Sequence, residues 1–167
     1  MKTFILAVLG LLVAGTLVTI WYIRTVPSDP ATWHVHPLEA PTPETPNTFR
    51  AAPVLGGVPT TEERIDLVSP IFDVNPAIIA LALDQFALTQ SRTERIAGTP
   101  ESGWMTYVQR SEVMRYPDYI SVMVFELENG QSTIAIFSRS RFGYDDLGVN
   151  EERVRRWIGT LESFAAQ

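Results

Sequence analysis

Twenty consecutive residues without a charge, Phe4 to Ile23, constrain this chain more than any other feature of it. As a helix rising about 1.5 Å per residue, such a run matches a hydrocarbon core about 30 Å thick. Lys2 precedes it, Arg24 follows it, and Trp21 and Tyr22 fall where an interfacial aromatic belt belongs. A secretory signal peptide is the rival reading, with Val13 and Gly15 as a weak cleavage site, but the apolar run continues well past them. The sequence therefore predicts a single-pass anchor, with the membrane contacted through residues 4–23. The amino terminus and Lys2 outweigh Arg24, which favours an amino terminus inside and the bulk of the chain outside. In a bacterium that means the inner membrane, with the bulk in the periplasm.

The anchor residues never enter a soluble core, so 167 residues leave room for one further domain. Between Arg24 and Glu62 lie eight of the chain's twelve prolines, at 27, 30, 37, 41, 43, 46, 53 and 59. That density blocks helix and interior strand and favours an extended tether. Fully extended, it would reach on the order of 100 Å at about 3.1 Å per residue. Yet Trp33, Val35, Leu38, Phe49, Val54 and Leu55 are too apolar for a solvated spacer. Part of the tether is therefore expected to lie along the folded domain, giving an anchor (1–23), a tether (24–62) and a domain (63–167).

Within the domain, Asp66 to Val74 reads as a strand broken by Pro70, and Asn75-Pro76 as the cap and first residue of a helix to about Leu88. Arg92 to Ala97, Met105 to Arg110 and Tyr119 to Leu127 read as strands, with Asn129-Gly130 turning into a further strand, Ser132 to Phe142. Alternation puts Ile134, Ile136, Ser138, Ser140 and Phe142 on one face of that strand and Arg139 and Arg141 on the other. Asn150 reads as the cap of a last helix, with Val149 stapled on Val154 and the Glu151/Arg155 and Glu152/Arg156 pairs on the exposed side. The order predicts an α+β fold: a transmembrane helix, a proline-rich tether, then an antiparallel sheet with two helices packed on one face.

The segment SRSRFGYDDLGVNEERVRRW, with TYVQRS at Thr106 to Ser111 and YPDYISV at Tyr116 to Val122, resembles the domain of unknown function 1499 family. Upstream, WHVHP at Trp33 to Pro37 and TPNTF at Thr45 to Phe49 are similar to the entry segment of its membrane-anchored bacterial members. WHVHP carries His36 where the family pattern has an acidic residue. The resemblance implies a small α+β envelope or membrane-associated domain and brings no activity to any residue.

Composition narrows the chemistry. No cysteine means no disulfide, no thiol nucleophile and no lipid attachment at cysteine. A net charge of -6 argues against nucleic acid as a partner. No cofactor motif of Walker or Rossmann spacing occurs. His34 and His36, the only histidines, share a face of an extended segment without a further metal ligand, so a solvated pair is favoured over a metal site. Asp145 and Asp146 read as turn chemistry, and Ser138 and Ser140 lack a nucleophile elbow and a nearby histidine.

What remains is arginine: twelve of them, against one lysine. Arg92, Arg95, Arg110, Arg139 and Arg141 fall on or beside strands. Together they would make forked donors for a carboxylate or phosphate, with Tyr107 or Tyr144 as further hydrogen bonders. Pairing with Glu94, Glu112, Glu126 or Glu128 across strands is the plainer alternative. Arg139, Arg141, Tyr144, Arg110 and Arg92 are the candidate binding residues. The leading expectation is a non-catalytic interaction module for an envelope protein or anionic ligand. The second is a ligand- or lipid-binding domain with an apolar pocket among Trp104, Met105, Met123, Phe125 and Phe137. The third is an enzyme working without His or Cys. Oligomeric state stays open.

Overall fold

In the computed structural model, which describes residues 1–166, the apolar run is one helix, α1 (Lys2–Thr25). It is long and apolar enough to cross a membrane, and the rest of the chain leaves its apolar window uncovered. A single turn, α2 (Pro30–Trp33), follows, where Asp29 Oδ1 accepts from the Ala31 amide at 3.0 Å. Then come β1 (Thr48–Ala52), the hairpin β2 (Val54–Leu55) and β3 (Val58–Pro59), and β4 (Leu67–Val68) and β5 (Ile71–Phe72) on either side of Pro70. The helix α3 (Pro76–Thr89) leads to β6 (Thr93–Thr99), β7 (Trp104–Arg110), β8 (Pro117–Glu126), β9 (Ser132–Ser140) and the helix α4 (Val149–Gly159).

Seven strands form one sheet in the order β4-β1-β9-β8-β7-β6, with β5 also paired to β9. All pairs are antiparallel except β1 with β4. The antiparallel sheet expected from the strand order is thus mixed at one edge. The stretch between β1 and β4, which includes the β2–β3 hairpin, is long enough to carry the chain back for a parallel pairing. The sheet also begins at Thr48, inside the stretch read as tether, and β1 lies between β4 and β9. Pro46 and Pro53 bracket a proline-free segment long enough for one short strand, and the prolines around it hid the strand from a composition reading.

Strand alternation divides the side chains cleanly. Met105 and Tyr107 of β7, Ile120 and Val122 of β8, and Ile134 and Ile136 of β9 point to one face, where Ile79 and Leu83 of α3 and Val154 and Trp157 of α4 complete a dry core. Asn75 caps α3 through Oδ1, accepting from the Ala77 and Ile78 amides at 3.0 and 3.3 Å. At α4 the expected cap moves. Gly148 holds the N-cap position at φ 80, and the Asp146 carboxylate accepts from the Asn150 amide at 2.7 Å. Asn150 is released into the core, while Val149, expected to staple on Val154, is half exposed on the first turn.

One backbone position fixes the β6–β7 register. The pairing slips between Arg95 and Ala97, and Gly98 follows at φ 73. A Cβ there would sit 1.8 Å from the Trp104 carbonyl oxygen. Gly98→Ala is expected to cost more than about 1 kcal/mol of unfolding free energy, since neither the φ nor the space suits a side chain. Chemical denaturation of the variant beside the parent measures it.

Candidate functional site

The sheet face turned away from the helices carries Arg50, Arg110 and Arg139, with Arg141 just beyond the end of β9. The proline-rich segment crosses this face as a strap. Its carbonyls have no strand ladder to join, and the guanidinium groups serve them instead. Arg139 Nη2 donates to the Trp33 carbonyl at 2.7 Å, Arg141 Nη1 to Pro27 at 2.9 Å, and Arg110 Nη2 to Val26 at 2.8 Å. Arg50 donates to the Ala40 carbonyl and, at 2.8 Å, to the Thr42 hydroxyl. Between these clamps the Trp33 ring stacks on Tyr119 with centroids 3.8 Å apart, and His34 stacks on Trp104 and shares a 2.9 Å hydrogen bond with Thr106. Burial lowers the pKa of His34, which favours the neutral ring in this contact.

These bonds decide what the arginines are free to do. Arg139 is 7% exposed, and burial first, then the nearby Arg50 charge, lowers its pKa to about 10. Its face is occupied by the chain itself, so Arg139 and Arg141 do not form an open basic surface. The alternative cross-strand pairs are not made either. Among the described residues Arg95 pairs with Asp84 at 2.8 Å, not with a strand glutamate. Tyr107 donates to the same Asp84 at 2.8 Å from within the core. Burial, then the bond to Asp84, raises the Tyr107 pKa.

Arg110 and Arg92 meet elsewhere. Together with Arg153 and Arg156 they line a cleft of about 360 Å³ between the α3–β6 turn, the β7–β8 ends and α4. Arg153 is its buried floor. It donates to Asp118 Oδ2 and Asn150 Oδ1, both at 2.6 Å, to Gln109 Oε1 at 2.7 Å and to Ser138 Oγ at 3.0 Å. Asn150 passes the order on, donating to the Asn47 carbonyl at 2.8 Å. Arg92 and Arg156 form the exposed rim. Arg92 donates from Nε to the Arg110 carbonyl at 3.0 Å, which leaves its terminal nitrogens for other partners, and Arg156 makes one exposed 3.3 Å contact with Glu152. The cleft is bordered by the guanidinium groups of Arg92, Arg153 and Arg156, with the Asp118 carboxylate paired to Arg153 and the Arg110 guanidinium held on the Val26 and Arg115 carbonyls.

Arg153 and Asn150 are not among the candidate binding residues of the sequence, where Asn150 reads as a cap, although a signal was present. Both lie at helical spacing from Val154, Trp157 and Ile158, on the stripe that a 3.6-residue period buries. Arg156 was assigned to a solvated pair and reaches the cleft as well.

Tyr144, the fifth candidate, is 72% exposed on the loop after β9, apart from the other four. In that loop Asp145 and Asp146 turn inward: Oδ1 of each accepts a backbone amide, from Leu147 at 2.7 Å and from Gly148 at 3.1 Å. The turn leaves Leu147 at φ 56, a conformation worth roughly 1–2 kcal/mol of strain for a residue with a Cβ. Beneath lies a second cleft of about 490 Å³ lined by Ile23, Tyr116, Phe142, Leu147 and Val149 together with Asp145 and Asp146, and it shares Ser111, Asp118 and Val149 as wall residues with the basic cleft. The expected apolar pocket is not where the sequence put it. Met105 belongs to the helix face and Phe137 is buried on the strap face beneath the Arg50 guanidinium. Ser138 donates to Asn150 at 2.6 Å with no histidine beside it.

Fold and site together define a class: a small α+β domain strapped to one helix of membrane-spanning length, with a basic cleft at the end of its sheet. Residues 40–161 match the family described as Protein of unknown function (DUF1499), and the chain belongs to that family. No curated protein matches the chain.

The strap makes its own prediction. Arg139→Ala removes a charge-assisted hydrogen bond worth about 1.5–3 kcal/mol from the Trp33 carbonyl. Chymotryptic cleavage after Trp33 in the folded chain is expected to accelerate by roughly ten- to a hundred-fold, as followed by the mass of the fragments.

Proposed function

We propose that the chain is a membrane-anchored, non-catalytic binding module that recognises a small anionic group in the cleft of Arg92, Arg153 and Arg156, which Arg110 borders. In this reading α1 stays attached as a single-pass anchor, and the charges at Lys2 and Arg24 favour the domain on the periplasmic side of a bacterial inner membrane. The observation that carries it is the division among the arginines. Arg110, Arg139 and Arg141 are engaged by the strap, whereas Arg92 and Arg156 stand on the rim of a cleft whose floor, Arg153, is held rigid by four partners. Pre-set forked donors suit a phosphate or carboxylate, because little side-chain entropy is left to lose on binding.

A second reading has its own support. The largely apolar cleft beside Ile23 adjoins the basic one across Ser111, Asp118 and Val149, a layout that suits an amphiphile with its anionic end among the arginines.

Titration of the full chain in detergent with inorganic phosphate and with succinate tests the proposal. At least one is expected to bind, more weakly at higher salt, with affinity falling on the order of tenfold or more in Arg92→Ala/Arg156→Ala. Equal binding by parent and double variant, or no binding of either anion, would contradict it.

A further inference from the structure

Two loops at the same end of the sheet expose apolar side chains beside the last turns of α1. The first, residues 111–116, closes on itself through the Ser111 amide to the Tyr116 carbonyl at 2.9 Å and the Tyr116 amide to Ser111 Oγ at 3.0 Å. It holds up Val113, 75% exposed. The second, residues 142–149, uses both of its carboxylates on its own backbone and leaves Leu147 92% exposed at a left-handed φ. A side chain held in a strained conformation with nothing around it asks for a partner that the chain alone does not supply.

The position of these loops names the partner. Phe142 meets Tyr22 of α1 edge to face, centroids 6.2 Å apart, and Tyr116 at 6.1 Å. Met114 and Tyr116 line a groove together with Leu12, Thr16 and Ile20, which lie one to three turns inside the end of the apolar run. Ile23 and Val26 are buried, so α1 joins the domain without a free hinge there. Whatever depth Ile20 and Tyr22 take in a bilayer, the loops packed beside them share. We propose that loops 111–116 and 142–149 are seated in the membrane leaflet that surrounds the last turns of α1, with Val113, Met114, Tyr116, Tyr144 and Leu147 in contact with lipid. The domain then rests on the bilayer surface, and the apolar cleft beneath Leu147 opens toward lipid. Aromatic residues at this level match the belt that tyrosine and tryptophan form at membrane interfaces, and exposed apolar side chains gathered around a membrane helix gain the burial that water denies them.

The proposal rests on α1 being retained as an anchor, and the test separates the two. The chain contains no cysteine, so single replacements Leu9→Cys, Val113→Cys, Leu147→Cys and Val58→Cys can each carry a nitroxide. Val58 is exposed and apolar but belongs to the β2–β3 hairpin, beyond the opposite end of β1. In vesicles of phosphatidylethanolamine and phosphatidylglycerol, collisions with oxygen report lipid and collisions with a water-soluble nickel chelate report solvent. The expected result is loss of nickel collisions at 9, 113 and 147, with 58 fully accessible. If 9 is protected while 113 and 147 match 58, the seating of the loops is wrong and the anchor stands. Should 9 be accessible as well, the anchor reading fails and takes this inference with it.

Discussion

Carbonyl groups of a proline-rich segment, laid across a sheet face, need hydrogen-bond donors that no neighbouring strand offers them. Arginine meets that need, because a guanidinium brings five N–H groups in a planar fork and reaches a carbonyl without backbone alignment. Arg50, Arg110, Arg139 and Arg141 each hold a strap carbonyl. Burying Arg139 without a carboxylate partner costs desolvation, as its lowered pKa records. Several donated bonds and the faces of Trp33 and Phe137, 5.6 and 5.2 Å from its guanidinium carbon, offset that cost. The strap thereby covers the sheet face that the two helices leave open.

Much else depends on that contact. With the strap docked, Val26 and Ser28 are held against Arg110, and the end of α1 is carried to the edge where β7, β8 and β9 converge. The same edge carries the N-terminal half of α4 and the ion pair of Arg153 with Asp118, in which the guanidinium is buried and the carboxylate is partly exposed to the cleft. Arginine thus plays two parts. Those on the strap face, Arg110 among them, hold the chain together, whereas Arg92 and Arg156 stand on the rim of the cleft beside α4.

Local signals made much of the fold legible. Asn75-Pro76 marks the start of α3, Pro70 separates β4 from β5, and Asn129-Gly130 turns β8 into β9, because each acts through its own backbone preferences. The strands β6 to β9 followed from their alternation. What depended on distant partners was hidden. β1 lies among prolines, and only its pairing with β9 and β4 makes it a strand. Asn150 looks like a cap because capping is local, yet Asp146 takes the cap's work and Asn150 serves Ser138 and Asn47 instead. The candidate site divided in the same way. Arg92 and Arg110 were named and do line the cleft, whereas Arg139 and Arg141 were assigned to an open face because sequence shows alternation but not what covers a face. Arg153 and Arg156 were not among the candidates, since a charge on a helix reads first as a solvated one.

The segment after α1 is a fixed strap and not a flexible tether. Thr25→Cys/Glu128→Cys, spin-labelled in the full chain in a bilayer, measures it directly, since the two sites bracket the strap and the long axis of β8. A docked strap predicts one narrow distance distribution by double electron–electron resonance. A broad distribution, as expected of a proline-rich spacer free to reach on the order of 100 Å, would contradict the account.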